Sequence, residues 1–290
     1  MANRTINKIG IVYSGGLARG SAQLAFANEI IKKIGYERIS VISASSVGSL
    51  NAYATGTKRI DQMLECYKDL DFASVRDFIS GVRSNQFNLV FNKIEGGDFI
   101  CPVYVSGTKI FSFECHYFCL NGMTRTDIKN VINVSMAFPI INGPLRFNRL
   151  LYIDGGATDN IPVYPLNYFD VDMIIILHCY PKYYPPIELY NLKPNTVIVD
   201  VDVTLSLDKK LTSFSLTKPD FLTMLSAGEE EGKRFADFIF SDFDFKEVRK
   251  RCYKYTNDNL HTRFLKNSDG LMSLVDLLNT LYQFKSSLSE

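Results

Sequence analysis

Ser46 lies in the run Val41-Ile42-Ser43-Ala44-Ser45-Ser46-Val47-Gly48-Ser49-Leu50-Asn51-Ala52. A small residue, a serine and a glycine at alternate positions after a β-branched run form the pattern of a strand–turn–helix elbow. Such an elbow lifts a serine hydroxyl clear of the backbone, where it can act as a nucleophile. Small residues flank it because strand and helix pass close together there. Ala44 stands where these elbows usually have glycine. Two more turns carry groups that such a serine needs. Ser14-Gly15-Gly16-Leu17-Ala18-Arg19-Gly20 follows an apolar run and opens a helix-compatible one. Amides at a glycine-rich helix start gather anions. A phosphate loop is excluded because its lysine is missing. A dinucleotide fingerprint is excluded because Leu17 breaks the spacing and no acidic residue ends the second strand. An oxyanion hole built from the amides of Gly15, Gly16 and Leu17 remains, with a bare tight turn as the plain alternative. The last turn is Tyr152-Ile153-Asp154-Gly155-Gly156, which brings a carboxylate off a strand end. An Asp-Gly pair is also an ordinary turn, and Asp159, before Asn160-Ile161-Pro162, competes with Asp154 while suiting a turn or cap better.

The elements around these turns follow from apolar spacing. Lys8 to Tyr13 predicts a strand, Arg19 to Lys33 a helix stopped by Gly35, and Ile39 to Ile42 a second strand. A helix fading at Gly56 follows the elbow. Strand–helix–strand–helix order predicts an α/β fold, a three-layer sandwich around a mainly parallel sheet. Residues 58–100 look loosely helical, broken at Gly96-Gly97. Strands are expected at Val103–Val105, Lys109–Phe118, Leu150–Ile153, Met173–Cys179 and Thr196–Val201, with Asn121-Gly122 as a strand-pair turn. Thr126-Asp127 can cap a helix that Pro139 ends. Tyr180–Pro194 reads as an irregular linker. Leu216–Phe240, Lys246–Tyr255 and Gly270–Phe284 read as helices. The expected organisation is an α/β core over 1–210 with a helical extension over 211–290 packed on the same domain.

Composition bounds the function classes. The chain has 290 residues, is 46% hydrophobic and carries a net charge of +1, so no global field draws nucleic acid. Trp is absent, whereas 21 Phe and 16 Tyr supply aromatic area. Met1 to Lys8 has no apolar segment of the secretory kind, and no apolar run approaches a membrane span. The six cysteines show no framework, and a cytosolic, reduced protein is expected. Cys115-His116-x-x-Cys119 invites a zinc reading, but no second Cys/His pair stands near. Alternation through Phe111, Phe113, Cys115 and Tyr117 predicts buried thiols instead.

Taken together, the motifs resemble those of the patatin-like phospholipase family, in that family's order. They are the loop ending Ala18-Arg19-Gly20, the elbow Ser45-Ser46-Val47-Gly48-Ser49-Leu50-Asn51-Ala52 and the turn Asp154-Gly155-Gly156, with Ser135-Met136-Ala137-Phe138-Pro139 and Asp159-Asn160-Ile161-Pro162 flanking. The resemblance spans residues 8–180. It departs at Ser14, where a glycine or aspartate is usual, and at Ala44. It implies lipid acyl hydrolysis by a Ser46–Asp154 dyad through an acyl-enzyme, with no metal or other cofactor. It also implies an oxyanion hole at Gly15, Gly16 and Leu17. Arg19, Gly20, Gly48, Gly155 and Gly156 then support the motifs, Arg19 by pairing with a carboxylate or holding the loop.

Two rivals remain open at this level. One is a Ser–His–Asp triad drawing on His116, His178 or His261, of which His178 and His261 follow Asp154 as that chain order requires. The other is a non-catalytic lipid- or protein-binding module on the same fold. For contact with a membrane surface, Phe87, Leu89, Val90 and Phe91, the Tyr180–Tyr190 segment, and a basic face of Lys246, Arg249, Lys250, Arg251 and Lys254 are the candidates. Partial burial and plain solvation are their competing roles.

Overall fold

The computed structural model describes residues 4–83, 86–139, 141–180, 183, 185 and 187–268. The chain opens with β1 (Ile9–Tyr13), α1 (Gly20–Ile34), β2 (Ile39–Ala44) and α2 (Gly48–Gly56). Next come α3 (Ile60–Asp69), α4 (Val75–Arg83) and α5 (Gln86–Ile94), then β3 (Val103–Lys109), β4 (Cys115–Cys119) and α6 (Arg125–Ser135). β5 (Leu145–Phe147) and β6 (Leu150–Asp154) precede β7 (Met173–His178), α7 (Ile187–Leu192) and β8 (Val197–Asp202). α8 (Lys218–Ile239) and α9 (Phe245–Ser268) close the described chain. The helix expected over 270–284 lies outside the described residues.

The strands form one 8-stranded sheet in the order β5-β6-β3-β2-β1-β7-β8, with β4 also on β3. β3, β2, β1, β7 and β8 run parallel, and β4, β5 and β6 are antiparallel additions. The fold is therefore a mixed α/β sheet flanked by helices, as expected. Strand alternation divides its two faces. Ile9, Ile11 and Tyr13 join a large core under the helices, whereas Val12 joins a small cluster with Ile161, Leu166 and Leu189 on the other face. α8 lies along α1, where a Cβ on Gly232 would stand 2.7 Å from the Phe26 Cα, so only glycine permits this approach. Phe26 and Phe235 meet in the same contact with ring centroids 5.3 Å apart. Truncating either to alanine costs about 3–5 kcal/mol.

Several expectations change. The strand expected over Lys109–Phe118 is split: Lys109 ends β3, a tight turn follows, and β4 starts at Cys115. The hairpin turn is thus Ile110–Glu114. Asn121 instead ties strand ends, its side chain accepting from Val103 N at 2.8 Å and donating to the Cys101 carbonyl at 3.0 Å. Phe111 and Phe113, expected on a buried face, are exposed because they fall in that turn. On β4, alternation sends His116 to the face opposite Cys115 and onto the Phe118 ring, centroids 4.4 Å apart. The cap of α6 is Thr124, which accepts from Asp127 N at 3.2 Å, in place of Thr126. The Tyr180–Pro194 segment carries the short helix α7. Among the described residues, no helix is long and apolar enough to cross a membrane.

Candidate active site

Register on β3 brings the elbow and the Asp154 turn together. β4 occupies one edge of β3, from Tyr104 to Thr108. On the other edge β2 pairs with Val103–Val105, and β6 takes over at Gly107–Lys109 from the opposite direction. The C-terminal ends of β2 and β6 therefore meet head to head, Ala44 beside Val105 and Asp154 beside Gly107. Ser46, just past the end of β2, faces Asp154.

Ser46 has φ 52, the left-handed conformation that the elbow imposes on a non-glycine residue. Its Oγ donates to Asp154 Oδ2 at 2.7 Å, and its amide donates to Ser135 Oγ at 2.9 Å. Gly48 lets α2 pass close behind, since a Cβ there would lie 2.6 Å from the Ser14 carbonyl oxygen. Asp154 is 4% exposed, and its Oδ1 accepts from Gly156 N at 2.7 Å. Burial pushes its pKa up to about 6, against the opposing pull of the hydrogen bonds from Ser46 and Gly156. Gly155 sits on the Ser106 backbone, where a Cβ would stand 2.7 Å from the carbonyl carbon. Asp159 does the turn work foreseen for it, accepting from Tyr117 Oη at 2.5 Å and from Ile161 N at 3.2 Å.

The glycine loop divides its amides. Gly15 N is occupied, facing the Asn160 Oδ1 at 3.1 Å and the Asn160 carbonyl at 3.3 Å. Among the described residues, the Gly16 and Leu17 amides have no protein acceptor, and neither has the amide of Val47 at the start of α2. Leu17 is held at φ 50. Ser14, the departure at the head of the loop, donates Oγ to the Gly15 carbonyl at 2.8 Å and accepts from Cys179 N at 3.0 Å. A buried chain braces the loop from behind. Tyr67 donates to Asn51, Asn51 donates to the Gly20 carbonyl and to Gln23, and Gln23 donates to the carbonyls of Ser14 and Leu177. Gly20 lets Val47 approach, since a Cβ there would be 2.8 Å from Val47 Cγ1. Arg19 donates to the Leu211 carbonyl at 3.1 Å, and the Asp202 carboxylate acts on it only through space. It therefore holds the loop and makes no ion pair among the described residues.

Ser46 and Asp154 open on a cavity of about 800 Å³, its mouth included. Leu17, Val47, Phe72, Phe78, Phe138 and Phe221 give it an apolar wall, and Asn142 adds a polar group. Val90 lines it and Phe91 packs on Tyr53, so these two are core and not surface. Leu89 is exposed, and the side chain of Phe87 lies outside the described residues. Tyr183 packs on His178 with centroids 5.1 Å apart. On α9, Lys250 pairs with Glu247 at 2.6 Å and Arg251 with Asp242 at 3.0 Å, which neutralises part of the basic face.

Among the described residues, no histidine lines the cavity. His178 points to the opposite face of the sheet, where its Nε2 is 3.6 Å from Asp200 Oδ2. His116 lies across β3 from Asp154, and Phe118, Val134 and Tyr152 fill the space over the intervening Gly107. The side chain of His261 lies outside the described residues. Sequence reasoning missed Ser135, Asn160 and Val47 as site residues. Ser135 and Asn160 stand inside the quoted flanking words, but only the fold reveals their hydrogen bonds.

Comparison with known proteins agrees on the fold. No protein-family model matches the chain. The probable lipid hydrolase 463L of Invertebrate iridescent virus 6 is 32% identical over 113 residues, which cover 36% of this chain and 38% of that protein. The chain thus aligns with well under half the length of this curated relative. Human GIVD cytosolic phospholipase A2, solved with methyl gamma-linolenyl fluorophosphonate, superposes with a TM-score of 0.52 at 10% identity, over 86% of this chain and 60% of that one. VipD from Legionella pneumophila gives a TM-score of 0.44 at 11% identity, over 81% of this chain and 67% of that one. The fold is that of the patatin-like phospholipases, which the three sequence motifs also resemble.

Proposed function

We propose that the chain is a lipid acyl hydrolase, a carboxylic-ester hydrolase of phospholipase A or lysophospholipase type. In this reading Ser46 is the nucleophile and Asp154 its base. The observation that carries it is the 2.7 Å hydrogen bond from Ser46 Oγ to a buried carboxylate at an apolar cavity. A free carboxylate is a poor base for a serine hydroxyl, and burial corrects part of the mismatch by raising the Asp154 pKa to about 6. At neutral pH the group is still mostly ionised.

Asp154 takes the hydroxyl proton as Ser46 Oγ bonds to the ester carbonyl carbon. The Gly16, Leu17 and Val47 amides receive the developing oxyanion, each contributing about 3–4 kcal/mol in the transition state. The proton then passes to the leaving alcohol as its bond breaks. Asp154 then deprotonates a water that bonds to the acyl carbon. The Ser46 Oγ–acyl bond breaks, Oγ takes the proton back from Asp154, and the fatty acid leaves. The apolar wall suits an acyl chain, which agrees with the lipid hydrolase and phospholipase names of the viral relative and the human neighbour.

A fluorophosphonate probe tests this directly. Wild type is expected to carry one adduct on Ser46, and Ser46→Ala none, with ester hydrolysis lowered by at least about 10³-fold. Folded wild-type protein that takes no adduct at Ser46 would favour a binding module on the same fold.

A further inference from the structure

The β3–β4 hairpin ends in Ile110-Phe111-Ser112-Phe113-Glu114, and both phenylalanines stand in solvent, Phe111 87% exposed and Phe113 62%. Turns of this kind favour Gly, Asn and Asp, so two aromatic rings here run against local preference. Phe113 also sits at φ 52, where a bulky side chain is strained. The β5–β6 turn lies alongside. β6 starts where β3 ends, and Ile110 N donates to the Leu151 carbonyl at 3.0 Å. This second turn exposes Leu150, at 47%, next to the exposed Arg149, with Arg146 on β5 also exposed. Neither arginine has an acidic partner among the described residues. On this rim Lys109 pairs with Glu114 at 3.5 Å, so with Arg146 and Arg149 these four charges sum to a positive patch.

We propose that these paired turns dock on an anionic lipid surface. Phe111, Phe113 and Leu150 enter the boundary between headgroups and acyl chains, while Arg146 and Arg149 meet lipid phosphates. Apolar side chains exposed on two neighbouring turns, with two arginines that lack an acidic partner among the described residues, suit insertion into that boundary. The position suits the chemistry as well. Phe111 lies four residues past Gly107, the partner of Asp154, so the tip is at most roughly 13 Å along the chain from that pair. A chain anchored by the tip therefore keeps its serine close to the lipid. This purpose rests on the acyl-hydrolase reading, whereas docking itself is measurable without turnover.

The chain has no Trp, so Phe111→Trp in a Ser46→Ala background gives a single reporter at the tip. With vesicles of phosphatidylcholine and phosphatidylserine, its emission is expected to shift to the blue and to be quenched by brominated acyl chains. Arg146→Gln with Arg149→Gln is expected to weaken co-sedimentation with these vesicles about thirtyfold. Phe111→Ser with Phe113→Ser is expected to abolish it. Unchanged emission, or full vesicle binding by the double serine variant, overturns the proposal. So does self-association that the serine variant dissolves in a protein blind to vesicles. Hydrolysis of a soluble short-chain ester by the serine variant with Ser46 intact is expected to match wild type. Absence of that hydrolysis in every variant would sink the acyl-hydrolase reading and leave the docking result standing.

Discussion

Two buried pairs containing a carboxylate stand at the same end of the sheet, on opposite faces. Asp154 meets the Ser46 hydroxyl at 2.7 Å beside an apolar cavity. Asp200 meets His178 at 3.6 Å within the thin layer beneath Tyr183. His178 and Asp200 have the residue types of a hydrolase triad, but alternation along β7 and β8 turns both away from the elbow. Asp154, by the same alternation, shares the face of Tyr152 in the large core. Burial sets the basicity of a carboxylate, but the face it occupies decides whether it meets a substrate.

The largest break in that contrast is expected from Asp154→Asn. Asparagine keeps the shape and can still accept from Gly156 N, but it cannot take a proton. Ester hydrolysis should fall about 10³–10⁴-fold, read as kcat/KM. Stability should move the other way. The native Asp154 holds its proton up to about 6 against 3.8 for the ordinary group, so burying its charge costs stability as pH rises through that window, by up to about 3 kcal/mol above it. The Asn variant escapes this cost. Its melting temperature should exceed that of wild type at pH 8 and match it near pH 3.5. In wild type, kcat/KM should rise about tenfold per pH unit below about 6 and level off above, because only the ionised carboxylate accepts the proton. A profile flat from pH 4 to 8 would remove Asp154 as the base.

Much of this site was legible as three turns in the chain, because each is a local device: small residues where strand and helix approach, glycines where amides must point outward. The parallel strands were legible too, since both faces are buried and their runs are continuously apolar, as in Met173–His178. The rest depends on contacts across the fold. The hairpin reads as one long strand because Phe111 and Phe113 keep the alternation through what is a turn. β5 was invisible, being only 3 residues long. Asn160 looked like part of a flanking word, and its bond to Gly15 spans 145 positions. No local pattern announces such a contact.

Asn160 gives the next test, smaller in effect. Its side chain stands between the two glycine turns, facing Gly15 N at 3.1 Å and lying where a Cβ on Gly156 would be 2.8 Å from its Oδ1. In the proposed reading it is a positioning residue that fixes the Gly15 peptide ahead of the Gly16 and Leu17 amides. Asn160→Ala is expected to lower kcat about 10–100-fold with KM nearly constant, since the loss falls on the transition state. Asn160→Asp keeps an acceptor for the Gly15 amide and should recover most of the rate at pH values where Asp154 is ionised. Equal losses in kcat and in folded fraction would reduce Asn160 to a structural brace.

The smallest effect on chemistry should come from the other pair. His178 is fully buried, and its ring fills space beside Tyr183 and Asp200. Replacing it by alanine opens a cavity and leaves a buried carboxylate without its imidazole neighbour, which should cost about 2–4 kcal/mol in urea unfolding. The sheet stands between this loss and Ser46, so the protein that stays folded should keep kcat/KM within about twofold. A histidine acting as the base would behave differently: activity would collapse by orders of magnitude, and the pH profile would follow an imidazole. If His178→Ala folds and yet neither hydrolyses esters nor takes the fluorophosphonate on Ser46, the two faces are coupled and the dyad assignment is wrong. Destabilisation with intact turnover would instead confine the chemistry to the cavity face.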